Sequence, residues 1–231
     1  MENLDPAGAR EDEGYPGALT IKLVRHGESE ANVGRASPQE VGDHNVALTE
    51  RGRAQARAAG VALGRAFLHG AQIYCSPYRR TRETLDQLCR GAGYERGAAA
   101  LRVLEDPRLR EVEHGYFDYE AQQEDRALHG WFYYRFRGGE SPADCYDRTS
   151  GFLDSLIRQV ERKDARRVLI VSHGLTIRCF VMRFMHMTVE AFEELANPGN
   201  AAVITIGPSD QLAAPRFTCG RWGVDGVELR T

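Results

Sequence analysis

No stretch of this 231-residue chain approaches the ~20 consecutive apolar residues that a membrane-crossing helix needs. A basic stripe is missing too. Lys and Arg number 30 against 33 Asp and Glu, they are scattered, and the net charge of -3 gives no case for nucleic acid as a partner. Cysteines are few and odd in number: Cys75, Cys89, Cys145, Cys179 and Cys219. None has the short Cys-x-x-Cys spacing of a zinc or redox motif, so reduced, mostly buried thiols in a cytoplasmic protein are expected. Met1 to Gly17 has neither a basic start nor an apolar centre, and reads as a flexible tail over residues 1–18 rather than a signal peptide. His44, His69, His114, His129 and His186 have no spacing that suggests a metal, and only His114 is favoured for a pocket rim. No coiled-coil heptad decides the oligomeric state.

What is present is an alternation of strand-like and helix-like segments. Apolar residues make up 42% of the chain, enough for a substantial core. No composition shift or internal repeat divides residues 19–231, which read as one domain. Thr49 is a plausible N-cap for a long helix with Ala54, Ala58, Val61, Ala62, Leu63 and Phe67 as its buried stripe. Ala71 to Cys75 reads as a strand, followed by a helix with Pro77 in its first turn. Ala121 to Phe136 reads as an aromatic-rich helix, forming a helical insert at about 119–140 broken by Gly138-Gly139. Ser141 opens the next helix, Leu175 to Met185 another, and Ala201 to Ile206 a further strand. Strands alternating with helices predict an α/β fold, a three-layer α/β/α sandwich with a mostly parallel central sheet.

Two strand-like runs end alike. Thr20 to Val24 leads into Arg25-His26-Gly27, and Val168 to Val171 leads into Ser172-His173-Gly174. Ligands of open α/β sheets sit beyond the carboxyl ends of the parallel strands, so both histidines are expected at one rim. A histidine at such a place is ordinarily a packed core residue. Arg25 changes that, because a guanidinium beside an imidazole is electrostatically costly unless an anion neutralises it, and its fork of donors suits phosphate. If the chain turned helical from Glu28, a helix N-terminus would add to the attraction. Arg79, Arg80 and Arg82, read alone, are a solvated helix face; placed after a strand at the same rim, one of them can reach an anion.

Five motifs then occur in order: Arg25-His26-Gly27 with Asn32 downstream, Leu48-Thr49-x-x-Gly52-x-x-Gln55-Ala56, Ser76-Pro77-x-x-Arg80-x-x-x-Thr84, Leu109-x-Glu111-x-x-x-Gly115, and Ser172-His173-Gly174. This order resembles the histidine phosphatase superfamily, the phosphoglycerate mutase-like proteins, over about residues 20 to 206. Phe132 to Phe136, Gly139-Glu140-Ser141 and Asn197 to Asn200 resemble its phosphatase-type branch.

The resemblance implies a role for each matching residue. His26 corresponds to the nucleophile that becomes phosphohistidine. Arg25, Arg80 and His173, the last as an imidazolium, correspond to the pocket that holds the phosphoryl oxygens. Glu111 corresponds to the acid that protonates the leaving oxygen; by itself it reads as a surface carboxylate, with Glu113 and Asp118 as neighbouring competitors. Asn32 and Gly174 correspond to further substrate-contacting positions. No metal and no cofactor are implied.

The expected activity is therefore a phosphomonoester phosphatase acting on a small phosphorylated metabolite or a phosphopeptide. Two alternatives stand beside it: a cofactor-dependent phosphoglycerate mutase and a non-catalytic interaction domain of the same fold. Glu30-Ala31-Asn32 and Val112-Glu113-His114-Gly115 depart from the mutase pattern, and no pocket position is lost as in silent members. The residues from Ala121 to Gly139, with Trp131 to Tyr134 and Phe136, are expected either to pack the insert against the core or to cap the pocket.

Overall fold

The computed structural model describes residues 19–115 and 120–230. The expected tail and Asp118 lie outside the described residues. The order along the chain is β1 (Thr20–Arg25), α1 (Pro38–Val41), α2 (Glu50–Leu68), β2 (Gln72–Cys75), α3 (Arg79–Gly91), β3 (Val103–Glu105) and α4 (Gln123–His129). Then come α5 (Pro142–Lys163), β4 (Arg167–Ser172), α6 (Gly174–Phe184), α7 (Val189–Glu194), β5 (Val203–Pro208), β6 (Phe217–Cys219) and β7 (Trp222–Asp225).

The strands form one sheet in the order β3-β2-β4-β1-β5-β7-β6. The block β3-β2-β4-β1 is parallel, and β5, β7 and β6 extend it by antiparallel pairing. β4 shows why the sheet needs cover on both faces. Val168 and Ile170 enter a core with Phe152 and Leu156 of α5 and Ile177 and Phe180 of α6. Leu169 and Val171 point the other way, into a second core with Leu63 and Leu68 of α2 and Leu85 and Leu88 of α3. Side chains alternate along a strand, so an unbroken apolar run is buried on both sides. The expected three-layer α/β/α arrangement follows.

Local signals place the helices. The Thr49 hydroxyl accepts the Gly52 N–H at 2.9 Å at the start of α2, and Ser141 and Asp144 form a reciprocal capping box at the start of α5. Pro77 lies before Tyr78, the N-cap of α3, and is not in the helix's first turn.

Two expectations need correction. The buried face of α2 is Gly52, Ala56, Gly60, Leu63 and Leu68, whereas Ala54, Ala58, Val61 and Ala62 are exposed. The helix packs through glycines because it lies so close to α3: a Cβ on Gly60 would stand 2.0 Å from the Leu88 carbonyl oxygen. A hydrophobicity pattern has no weight for glycine and selects the wrong stripe.

The aromatic insert is the second. A single 3-10 turn, Glu120–Gln122, leads into α4, which ends at Gly130, and Trp131 to Phe136 are not helical. There Phe132, Tyr134 and Phe136 are buried while Trp131, Tyr133 and Arg135 are exposed. The three buried rings share a core with Val112, Cys145, Cys179, Met182 and Phe192. Burial alternates along this segment, which opens with a turn closed by the Tyr133 and Tyr134 N–H groups on the Gly130 carbonyl. Four of the five cysteines are buried and all are free thiols.

Gly60→Ala is the informative test of the α2–α3 contact. Helix propensity alone favours alanine by about 1 kcal/mol. The new methyl meets backbone that cannot swing aside, and overpacking typically costs about 1–3 kcal/mol. The variant is expected to melt lower than the parent; a raised melting temperature would show that α2 and α3 can separate freely.

Candidate active site

β1 and β4 pair in parallel with Arg25 opposite Ser172, and the His26 N–H donates to the Ser172 carbonyl at 3.0 Å. The two His-Gly ends are therefore neighbours, and their imidazole ring centres lie 5.3 Å apart, edge to face. β2 ends beside them, since the Ser76 N–H donates to the Val171 carbonyl, also at 3.0 Å. Three adjacent parallel strands thus deliver His26, His173 and the Ser76–Arg80 segment to one rim.

The chain does not turn helical at Glu28, so no helix N-terminus lies there. Gly27 instead makes a close backbone contact. A Cβ on Gly27 would stand 2.3 Å from the Gly52 carbonyl oxygen, and one on Gly52 would stand 2.0 Å from the Glu28 carbonyl oxygen. The segment leaving β1 is seated backbone to backbone against the first turn of α2. The Gly27 N–H donates to the Thr84 hydroxyl at 3.0 Å and the Glu28 N–H to Gln55 Oε1 at 2.9 Å. Gly52, Gln55 and Thr84 of the sequence motifs are thereby a cradle for the backbone around His26.

His26 is buried, and its Nδ1 lies 2.7 Å from the Gly27 carbonyl oxygen. Only a protonated Nδ1 makes that contact favourable, so the neutral ring carries its lone pair on Nε2. Burial, with the nearby Arg80 and Arg25 charges, pushes the His26 pKa down to about 3. His173 is fully buried beside it, its Nε2 2.8 Å from the Ser76 hydroxyl and its ring edge-on to Tyr78. Its pKa is also lowered well below the usual value, by burial first and then by the Arg80 charge. The direction favours a neutral ring where an imidazolium was expected, because full burial penalises the charged form and Arg80 stands nearby.

The cleft in front of His26 has a volume of about 650 Å³, and Arg25, His26, Asn32, Arg80 and Glu111 line it. Arg25 donates through Nη1 to the Pro198 carbonyl at 2.6 Å, while its Nε is buried without a partner. Arg80 alone of the α3 arginines faces the cleft. Arg79 pairs with Glu83 and Arg82 with Glu105, both outward. Asn32 accepts the Ser29 N–H at 3.0 Å and is joined by Asn200 at 3.2 Å. Glu111 Oε1 accepts the Val112 N–H at 3.0 Å, and the Thr176 hydroxyl lies 3.4 Å away.

His173 and Gly174 are not among the cleft's lining residues. His173 stands behind His26, and Gly174 backs Arg25, where a Cβ would sit 3.5 Å from Nε. Arg178 is structural, donating to the Phe192 carbonyl at 2.7 Å and lying over the Phe192 ring. His114 lines the cleft as expected.

The expected cap is different. None of the described residues from 120 to 139 lines the cleft: Phe132, Tyr134 and Phe136 pack into the core, the other reading given to the insert, and Trp131 and Tyr133 are exposed. Pro38, Gln39, Gly42, Asp43 and His44 line the cleft as well. Sequence reading missed these, together with Tyr78. The usable signal was Gly42-Asp43, a pair of turn-forming residues. Among the described residues, no group of three or more His, Cys, Asp or Glu is placed to hold a metal ion, and no helix is long and apolar enough to cross a membrane.

The lowered histidine pKa values have a direct consequence. A group whose folded pKa lies below its unfolded one, near 6.5 for histidine, favours folding above the unfolded value and loses that contribution as pH falls toward the folded one. Stability should therefore decline from pH 7 toward about pH 3, and His26 should not titrate near 6.5. Histidine NMR checks this: a His26 midpoint close to 6.5 would contradict the buried neutral ring.

The profile of the histidine phosphatase superfamily (branch 1) matches residues 21–217. A phosphoglycerate mutase-like protein of Arabidopsis thaliana is 40% identical over 215 residues, covering 83% of this chain and 75% of the relative. A broad-range acid phosphatase of Saccharomyces cerevisiae is 27% identical over 284 residues, covering 80% and 84%. The solved structure of a mycobacterial glucosyl-3-phosphoglycerate phosphatase superposes with a TM-score of 0.69 at 25% identity, over 90% of this chain and 97% of that one. With its two His-Gly strand ends side by side and the profile spanning nearly the whole described domain, this chain belongs to the histidine phosphatase superfamily, branch 1.

Proposed function

We propose that this phosphoric monoester hydrolase cleaves phosphate esters of small metabolites through a phosphohistidine on His26. One observation carries the reading: His26 is held neutral with Nδ1 on the Gly27 carbonyl, so Nε2 keeps its lone pair at the floor of a cleft that Arg25 and Arg80 line. Phosphoryl transfer asks a protein chiefly for a positioned nucleophile and for positive charge around the equatorial oxygens. Both are present. The acid phosphatase relative and the phosphatase of the superposed structure support the same reading.

The steps follow from the side chains. Nε2 of His26 attacks phosphorus, the P–N bond forms, and the ester P–O bond breaks. Arg25 and Arg80 neutralise the phosphoryl oxygens. Glu111, on the cleft wall, gives its proton to the departing alkoxide and later takes one from the water that attacks phosphohistidine. That water breaks the P–N bond and frees phosphate. His173 supports the His26 ring and gains a reason to protonate once a phosphate dianion arrives, because the anion reverses the local charge. Asn32, tied to the Ser29 N–H, presents its amide toward the same anion.

His26→Ala should lose activity by about 10⁴-fold or more, with its melting temperature recorded alongside. Rapid quench with labelled substrate should find an acid-labile, base-stable phosphate on His26 in the parent. Label on Ser29 or Ser172 would place the enzyme in another class.

Glu111→Gln should slow alkyl phosphates far more than nitrophenyl phosphate, because nitrophenolate leaves with little help. General acid catalysis typically contributes ~10²–10⁴-fold, and the alkyl ester should show most of it. Equal losses on both substrates would remove Glu111 as the acid for the leaving group; no loss on either would turn attention to Glu113, which lines the same cleft.

A further inference from the structure

Arg80 is already engaged. Its Nη1 donates to Asp43 Oδ1 at 2.8 Å, its Nη2 to Asp43 Oδ2 at 3.2 Å, and Nη1 also reaches the Asp43 backbone carbonyl at 2.6 Å. Arg80 is 5% exposed and Asp43 26%, so this pair is only partly screened by water. Asp43 opens a 3-10 turn, Asp43–Asn45, which follows Gly42 and forms part of the cleft wall. Nothing in the phosphoryl-transfer steps calls for a carboxylate there. It halves the positive charge of the pocket.

The remaining charges of the wall sharpen the point. Besides Arg25 and Arg80, the charged lining side chains are Asp43, Glu111 and Glu113. The rim imidazoles are His44 and His114, and burial lowers the His114 pKa below its usual value. When a phosphate dianion takes both arginines, no unmatched guanidinium or ammonium remains among the described lining residues. For a second anionic group on the leaving side, the charged lining side chains left to meet are the carboxylates. An uncharged leaving group would meet none of that repulsion.

We propose that Asp43 is a specificity-determining residue, a charge filter on Arg80 that turns the pocket toward phosphate esters whose leaving group carries no second negative charge. This rests on the reading that Arg80 binds the phosphoryl oxygens. The two-part contact suits the role. The backbone carbonyl accepts from Nη1 independently of the side chain, and the carboxylate adds its charge to that contact.

Asp43→Asn removes the charge and keeps both the shape and an acceptor oxygen. Glycerol 3-phosphate and 3-phosphoglycerate are a matched pair, differing in a hydroxymethyl against a carboxylate. The parent should prefer glycerol 3-phosphate in kcat/KM. The variant should raise the ratio of 3-phosphoglycerate to glycerol 3-phosphate by about tenfold, the order expected when one unit charge leaves the cleft wall. Calorimetry with inorganic phosphate should show tighter binding by a similar factor. An unchanged ratio together with equal or weaker phosphate binding would overturn the filter and leave Asp43 as a prop for Arg80. Asp43→Ser serves in the same assays if the melting curve shows the Asn variant misfolded. Arg80→Ala separates the two levels. If it leaves phosphate affinity unchanged, the pocket assignment falls and the filter with it. If Arg80→Ala weakens phosphate binding while Asp43→Asn moves nothing, only the filter falls.

Discussion

The His26 N–H reaches the Ser172 carbonyl one step beyond the register that sets Arg25 against Ser172. That parallel pairing of β1 with β4 ties together two segments almost 150 positions apart in the chain, and the site is assembled on it. A slip of one residue would turn each imidazole to the opposite face of the sheet, because side chains alternate along a strand. The slip is opposed by the core: Val168 and Ile170 face α5 and α6, while Leu169 and Val171 face α2 and α3. Apolar packing on both faces therefore sets the distance between the two imidazoles.

Glycines do a second part of the positioning. Gly27 and Gly52 let the loop after β1 rest directly on the first turn of α2, which brings Gln55 within reach of the Glu28 amide. Thr84 of α3 holds the Gly27 amide from the other side. The backbone around His26 is thus clamped by two helices of one layer. Its Nδ1 contact with the Gly27 carbonyl is a local bond within that clamped segment, and it fixes which nitrogen is free.

Electrostatics in the pocket oppose protonation of either histidine. Burial first, and then the nearby arginine charge, keeps both rings neutral. A neutral ring is the nucleophilic form, as the proposed phosphohistidine route requires of His26. Asp43 moderates the effect by pairing with one arginine. On the proposed reading, the charge the pocket offers an anion is set by the 38–45 segment together with the strand ends.

The strand ends, the helix caps at Thr49 and Ser141, the layered α/β order and the five ordered motifs were legible in the sequence. Each is a local pattern: an apolar run, a hydroxyl before a helix, a fixed spacing. The face of α2 was not legible, because its burial comes from backbone approach at glycine and not from hydrophobic side chains. The 131–136 segment carried a helix-like density of aromatics, but the turn after Gly130 and alternate contact with α5, α6 and α7 give it an irregular path. The neutrality of His173, the place of Gly174 behind Arg25 and the Asp43–Arg80 pair depend on groups 37 to well over 100 residues apart meeting at low dielectric. The sequence by itself determined which chemical groups the protein could bring to an anion. Only the tertiary structure decided their protonation, their partners and which loop closes the cleft, because those depend on burial and on charges that meet through folding.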